Sequence, residues 1–137
     1  MNTVSLFPSL LDYQMLGVFL LRVTLGLIFV YFWYEKITHQ RTERIHFFEK
    51  LGMKPAVLYF ALTAYTEGIA GTLLVVGLWT QGAAIATGTL MLLASILKFF
   101  KPNALPRNTI EFYIILSVVS FSLLFLGAGA FAFDLPL

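Results

Sequence analysis

The chain has no cysteine among its 137 residues. That excludes disulfides, thiolate metal sites and any thiol relay carried by the chain itself. Charge is scarce: 12% of residues are charged, against roughly 25% in soluble domains. Histidine is absent from every long apolar run, because His39 and His46 both lie in a polar stretch. Bis-histidine haem within such a run is therefore excluded, and the two histidines read as solvated loop residues rather than metal ligands. There is no Gly-rich phosphate loop, no serine–histidine–acid set and no zinc spacing. Residues 1–14 carry no lysine or arginine, and no small-residue cleavage site follows the first apolar run, so no signal peptide is expected.

What fills the chain instead is apolar. Hydrophobic residues make up 59% and aromatics 16%, with a mean hydropathy of +0.86. A soluble fold could not cover that much apolar surface. The composition predicts an integral membrane protein forming a single domain over residues 1–137, with the lipid bilayer as its main surroundings. A spanning helix needs about 20 apolar residues. Four runs approach that length: 15–34, 56–79, 83–100 and 110–129. The expected fold is all-α, with four transmembrane helices in an antiparallel bundle.

Local signals mark the ends. Ser9 and Asp12 suggest a cap before the first span, and Pro55 suits the first turn of the second, where its missing N–H costs nothing. Only Thr80-Gln81-Gly82 separates the second and third spans, which predicts a tight hairpin. Gly127 and Gly129 suit the end of the fourth. Between the first two spans, Ile45, Phe47, Phe48 and Leu51 alternate with Arg44, Glu49 and Lys50, the pattern of a short amphipathic helix lying in the interface.

Lysine and arginine set the expected orientation. Lys36, Arg41, Arg44, Lys50 and Lys54 fall in the 35–55 loop, and Lys98, Lys101 and Arg107 in the 98–109 loop. Positive residues favour the cytoplasmic side, so both long loops are placed there and both termini outside. The basic loops are read as topogenic charge with anionic-lipid contact. Nucleic-acid binding has no place in this reading.

Two charges interrupt the apolar spans: Arg22 in the first and Glu67 in the second. A charge at the centre of a spanning helix costs roughly 2.5–3.5 kcal/mol on insertion scales, so it faces the interior and finds a partner. With Tyr34 and Pro55 as the inner boundary, each lies twelve residues, about 18 Å, from that surface. The expectation is an Arg22–Glu67 ion pair at mid-membrane, with Thr63 donating to Glu67. Lys36, Lys98 and Glu111 form a second polar layer at the inner ends. The third helix would line the path between the layers with Thr87, Met91, Ala94 and Lys98. The bland alternatives are an orienting ion pair, snorkelling lysines, and an Asn108–Glu111 capping box.

The ordered set LLRVTLGLIFVYFWYEK (20–36), EGIAGTLLVVGLWTQGAAI (67–85) and LGAGAFAFD (126–134), together with Glu111, resembles the DoxX family of small four-helix membrane proteins. Members often carry a small residue a few positions before the lysine; here that stretch is Tyr31-Phe32-Trp33-Tyr34, bulky enough to close a cavity. The resemblance implies the cytoplasmic membrane of a prokaryote. It also implies association with a redox system, since some relatives belong to oxidoreductase assemblies, including thiosulfate:quinone oxidoreductase. It does not establish an enzyme. The expected function is a membrane subunit holding a quinone or similar lipophilic molecule at Arg22 and Glu67, with Lys36, Lys98 and Glu111 at the entrance. No cofactor or metal is built in, so a redox partner protein would supply or accept electrons. The alternatives are a non-catalytic scaffold or assembly factor and a small transporter or proton path, the last requiring a homo-oligomer.

Overall fold

The computed structural model describes residues 7–105 and 108–134. A 3-10 turn over Pro8–Tyr13 runs into α1, Gln14–Thr38. A short helix α2, Arg41–Lys50, follows, then α3, Ala56–Val76, and α4, Thr80–Phe100. A 3-10 turn at Pro102–Ala104 precedes α5, Ile110–Leu126. The described residues are helical with no strand. Three helical stretches, Ser9–Thr38, Ala56–Val76 and Thr80–Phe100, are long and apolar enough to cross a membrane, and Ile110–Leu126 is a shorter apolar helix.

The element ends differ from the sequence expectations in informative ways. α1 continues four residues past Tyr34, to Thr38. The hairpin turn is at residues 77–79 rather than 80–82. Gly77 stops α3 because it adopts φ +77°, a left-handed conformation open to glycine at no steric cost. Phe7, not Ser9, occupies the cap of the first turn, and Thr109, not Asn108, caps α5. The helix expected between the first two spans is present as α2.

Packing is pairwise: α1 lies chiefly on α3, α4 on α5, and α3 on α4 joins the two pairs. Lipid tails are as apolar as leucine, so close packing and interhelical hydrogen bonds must hold such helices together. Small residues supply the approach. A Cβ added at Gly26 would lie 2.7 Å from the Gly71 carbonyl oxygen, and one at Gly71 would lie 2.9 Å from the Gly26 carbonyl oxygen. The α1–α3 crossing is therefore backbone against backbone. Further toward the end of α1, the Trp33 ring covers Gly68. Between α4 and α5, Thr87 Oγ1 donates to Ser120 Oγ at 3.2 Å, and Ser117 Oγ donates to the Gly88 carbonyl at 3.1 Å. Leu25, Phe29, Leu74 and Leu123 fill the interior, while Leu20, Leu27, Ile69, Leu93, Ile115 and Phe125 are exposed around it. That apolar exterior suits a hydrocarbon environment rather than water.

Candidate functional site

The two ends of the helices differ in character. At the loop end, α1 leads into α2, and α4 leads through the Pro102–Ala104 turn toward α5. There, a cavity of about 510 Å³ opens between the helices. Phe32, Phe60, Met91 and Tyr113 contribute to its walls, with Phe47 and Phe48 of α2. α2 thus turns its aromatic side onto a cavity. Lys36 and Glu67 also line this space.

Lys36 Nζ donates to Glu67 Oε1 at 2.5 Å. The Glu67 side chain is 3% exposed and that of Lys36 17%. This is a charge-assisted contact in a poorly solvated place, where such bonds are strongest. Glu67 Oε2 is buried and has no hydrogen-bond partner. An ionised carboxylate oxygen left without a donor is costly. Arg44 Nε donates to Gln40 Oε1 at 3.1 Å, and Lys101 contributes a third cation to the lining beside Lys36 and Arg44.

The expected Arg22–Glu67 pair does not form. Residue numbers opposed at the Gly26–Gly71 crossing add to 97, against 89 for Arg22 and Glu67. The two charges are therefore offset by eight residues, about 12 Å along the helix axis. The glycine crossing sets this register, and α1 runs on to Thr38, which brings Lys36 within reach of Glu67 instead. Thr63 does not donate to Glu67; its hydroxyl bonds back to the Tyr59 and Phe60 carbonyls at 3.1 and 3.0 Å. Of the α4 face expected to line a polar path, Met91 and Ala94 border the cavity. Thr87 is buried against Ser120, and Lys98 Nζ donates to the Leu105 carbonyl. Glu111 is exposed in the first turn of α5, where its carboxylate accepts from the Thr109 hydroxyl. Neither Lys98 nor Glu111 is in the cavity lining. Arg107 lies outside the described residues. His46 Nδ1 sits 2.9 Å from Glu49 Oε2 and His39 Nδ1 2.7 Å from Thr38 Oγ1, both on exposed side chains.

The family model for DoxX matches residues 17–100, more than half of the chain. The chain belongs to the DoxX family. With helices of spanning length, it is an integral membrane protein. Neither the curated proteins nor the solved structures give a match. The matched stretch of this DoxX protein holds Arg22, Lys36, Glu67 and most of the cavity wall, and ends before α5 and the tail.

Arg22 belongs to the opposite end. Its side chain is fully buried, and Nη2 donates to the Ala130 and Phe131 carbonyls at 3.2 and 3.4 Å. The residues after α5 fold back over the helix ends. The Ala130 amide donates to the Met15 carbonyl at 3.1 Å, and the Asp134 amide donates to the Gly77 carbonyl at 2.8 Å. Asp134 closes the arrangement. Its Oδ1 accepts from the Trp79 amide at 2.8 Å, and its Oδ2 accepts from the Thr80 amide at 2.6 Å. No local side chain caps α4, so this distant carboxylate does so. Burial alone would raise the Asp134 pKa; the Thr80 and Trp79 hydrogen bonds and the charge of Arg22 outweigh it, and the group sits below the usual carboxylate value. Phe19 rests edge-on against Phe131 and lies under the guanidinium. Asp134 was not among the sequence candidates. The available signal was that it is the lone acid after Glu111 and follows the glycine-rich LGAGAFAF stretch.

Proposed function

We propose that this DoxX protein is a membrane subunit of a redox-associated system, and that its loop-end cavity holds a quinone-type ring or a similar lipophilic molecule. In this reading α1, α3, α4 and α5 all span the bilayer as an antiparallel bundle, with the loop end cytoplasmic and both termini outside, as the lysine and arginine distribution favours. The observation that carries the proposal is a cavity that borders a part-buried ion pair whose buried carboxylate has one oxygen unpartnered.

The chemistry suits such a ligand. Small-molecule sites are commonly 300–1,000 Å³, apolar-walled, with a few convergent polar groups. An ammonium has three N–H donors, and Lys36 gives one to Glu67. Its others are available to a ring oxygen. Phe32, Phe60 and Met91 offer a surface for the ring, and a tail would leave toward lipid. The chain has no cysteine, so a partner protein would handle electrons. Lys36 and Glu67 are the ligand-facing residues in this proposal. Arg22, Lys98 and Glu111 are assigned structural roles, because the first is taken up by the tail, Lys98 by the Leu105 carbonyl and Glu111 by the first turn of α5.

The test is mass spectrometry of the organic extract from gently purified protein, beside a Met91→Trp variant that fills the cavity and leaves the ion pair in place. A lipophilic ring compound near one per chain, lost from the variant, supports the proposal. Bulk phospholipid alone in both samples overturns it. That result would favour the scaffold reading, which draws on the tail-end cluster of Arg22 and Asp134.

A further inference from the structure

The two members of the ion pair bordering the cavity do not ask the same thing of a ligand. Lys36 is a donor, so any ring oxygen satisfies it, whether carbonyl or hydroxyl. Glu67, as a carboxylate paired with Lys36, only accepts. Its Oε1 is taken by Lys36 Nζ, and its Oε2 is buried with no partner. A quinone carbonyl placed against Oε2 would set acceptor against acceptor. A hydroxyl placed there would donate to it and remove the penalty of the unpartnered oxygen.

We infer that the cavity selects the hydroxyl-bearing, reduced form of its ligand: a lipophilic phenol or hydroquinone that donates to Glu67 Oε2, in preference to the quinone. This rests on the proposed binding of a quinone-type ring and specifies its redox state. The surrounding walls supply no competing donor to this oxygen among the described residues. Sites built to hydrogen-bond a substrate hydroxyl reject analogues lacking it, because their own polar groups are then left unpaired.

The experiment uses the full chain in detergent micelles and three probes: a decyl-substituted benzoquinone, its hydroquinone kept reduced with dithionite, and the hydroquinone dimethyl ether. The chain has no cysteine for the reductant to alter. Dissociation constants are read from the concentration dependence of the melting temperature. The hydroquinone is expected to bind at least about tenfold more tightly than either other probe, since a hydrogen bond to a charged acceptor supports that ratio. In the Lys36→Met/Glu67→Leu double variant the three affinities should converge. In Glu67→Gln, whose amide can donate, the preference should move toward the quinone. Equal affinities for all three in the wild type, abolished by Met91→Trp, would overturn this inference and leave the quinone-type reading standing. A hydroquinone preference that survives in both Glu67 variants would overturn it too. Binding of none of the probes would remove both.

Discussion

Asp134 and Thr80, 54 residues apart, are joined by a 2.6 Å hydrogen bond from the Thr80 amide to the Asp134 carboxylate. The tail thereby supplies the cap that α4 lacks locally, and puts a negative charge at a helix N-terminus, where the helix dipole favours it. Asp134→Ala is expected to lower stability by about 1–2 kcal/mol, the usual cost of losing a helix cap. Thermal unfolding in detergent measures it. An unchanged melting temperature would remove the cap role.

The same contact has a pH signature. The folded Asp134 pKa lies below its unfolded value, because the Thr80 and Trp79 amides and Arg22 outweigh burial. A depressed carboxylate contributes stability that is full above the unfolded pKa, about 3.9. The contribution fades as pH falls from there through the folded value. The melting-temperature gap between wild type and Asp134→Ala should therefore be flat from neutral pH to about pH 5 and narrow below about pH 4. A gap that stays constant to pH 3 would show that the carboxylate charge is irrelevant to the cap.

Arg22 is expected to hold the tail and to leave the ligand site alone. Its Nη2 bonds to Ala130 and Phe131, and it is not part of the cavity lining. Arg22→Met should release the tail, seen as faster hydrogen exchange at the Ala130 and Asp134 amides. Ligand content should match wild type. Loss of ligand with the tail still protected would place Arg22 in the binding site after all.

Much of this arrangement was open to sequence reasoning, and the missed parts have a common cause. Helix number and type follow from the apolar runs, and α2 from its alternating charged and aromatic residues. Arg22 and Glu67 were legible as interior residues, since a charge in such a run has nowhere else to go. Their partners were not, because pairing depends on register between helices. That register is set where Gly26 meets Gly71, an atomic fit that depth counting from Tyr34 and Pro55 cannot reveal. An eight-residue offset was enough to give Glu67 to Lys36 and Arg22 to the tail. Asp134 was missed because its role depends on the tail folding back over the turn at Gly77, a long-range event with no periodic signal.

The Gly26–Gly71 crossing gives a direct test of that register argument. A Cβ at Gly71 would lie 2.9 Å from the Gly26 carbonyl oxygen, the Phe29 Cβ and the Val30 nitrogen. All three are backbone or next to it, so no side chain can rotate away. Gly71→Ala is expected to cost about 1–3 kcal/mol, the range for overpacking a close-packed interior. Gly17→Ala, where nothing lies within 4 Å, serves as the control and should be near neutral. Equal melting temperatures for the two variants would mean that the crossing is looser than described.

The ion pair separates structure from binding most sharply through a charge swap. Removing one member of a pair leaves an uncompensated charge, and such losses reach about 3–5 kcal/mol where the pair is fully buried, which sets an upper bound for this part-buried one. Lys36→Met alone and Glu67→Leu alone should both destabilise the fold strongly, Glu67→Leu less so because Lys36 is the more exposed partner and reaches water more easily. The Lys36→Glu/Glu67→Lys swap keeps the pair and should recover most of the stability. It also replaces the buried acceptor with a donor on α3 and moves the carboxylate to α1. A ligand that donates to Glu67 would then lose its partner, so the swap should fold, melt close to wild type and bind the hydroquinone probe at least about tenfold more weakly. A swapped protein that binds as tightly as wild type would mean that the pair only orients α1 against α3. Thermal unfolding and probe titration on the same preparation decide between the two.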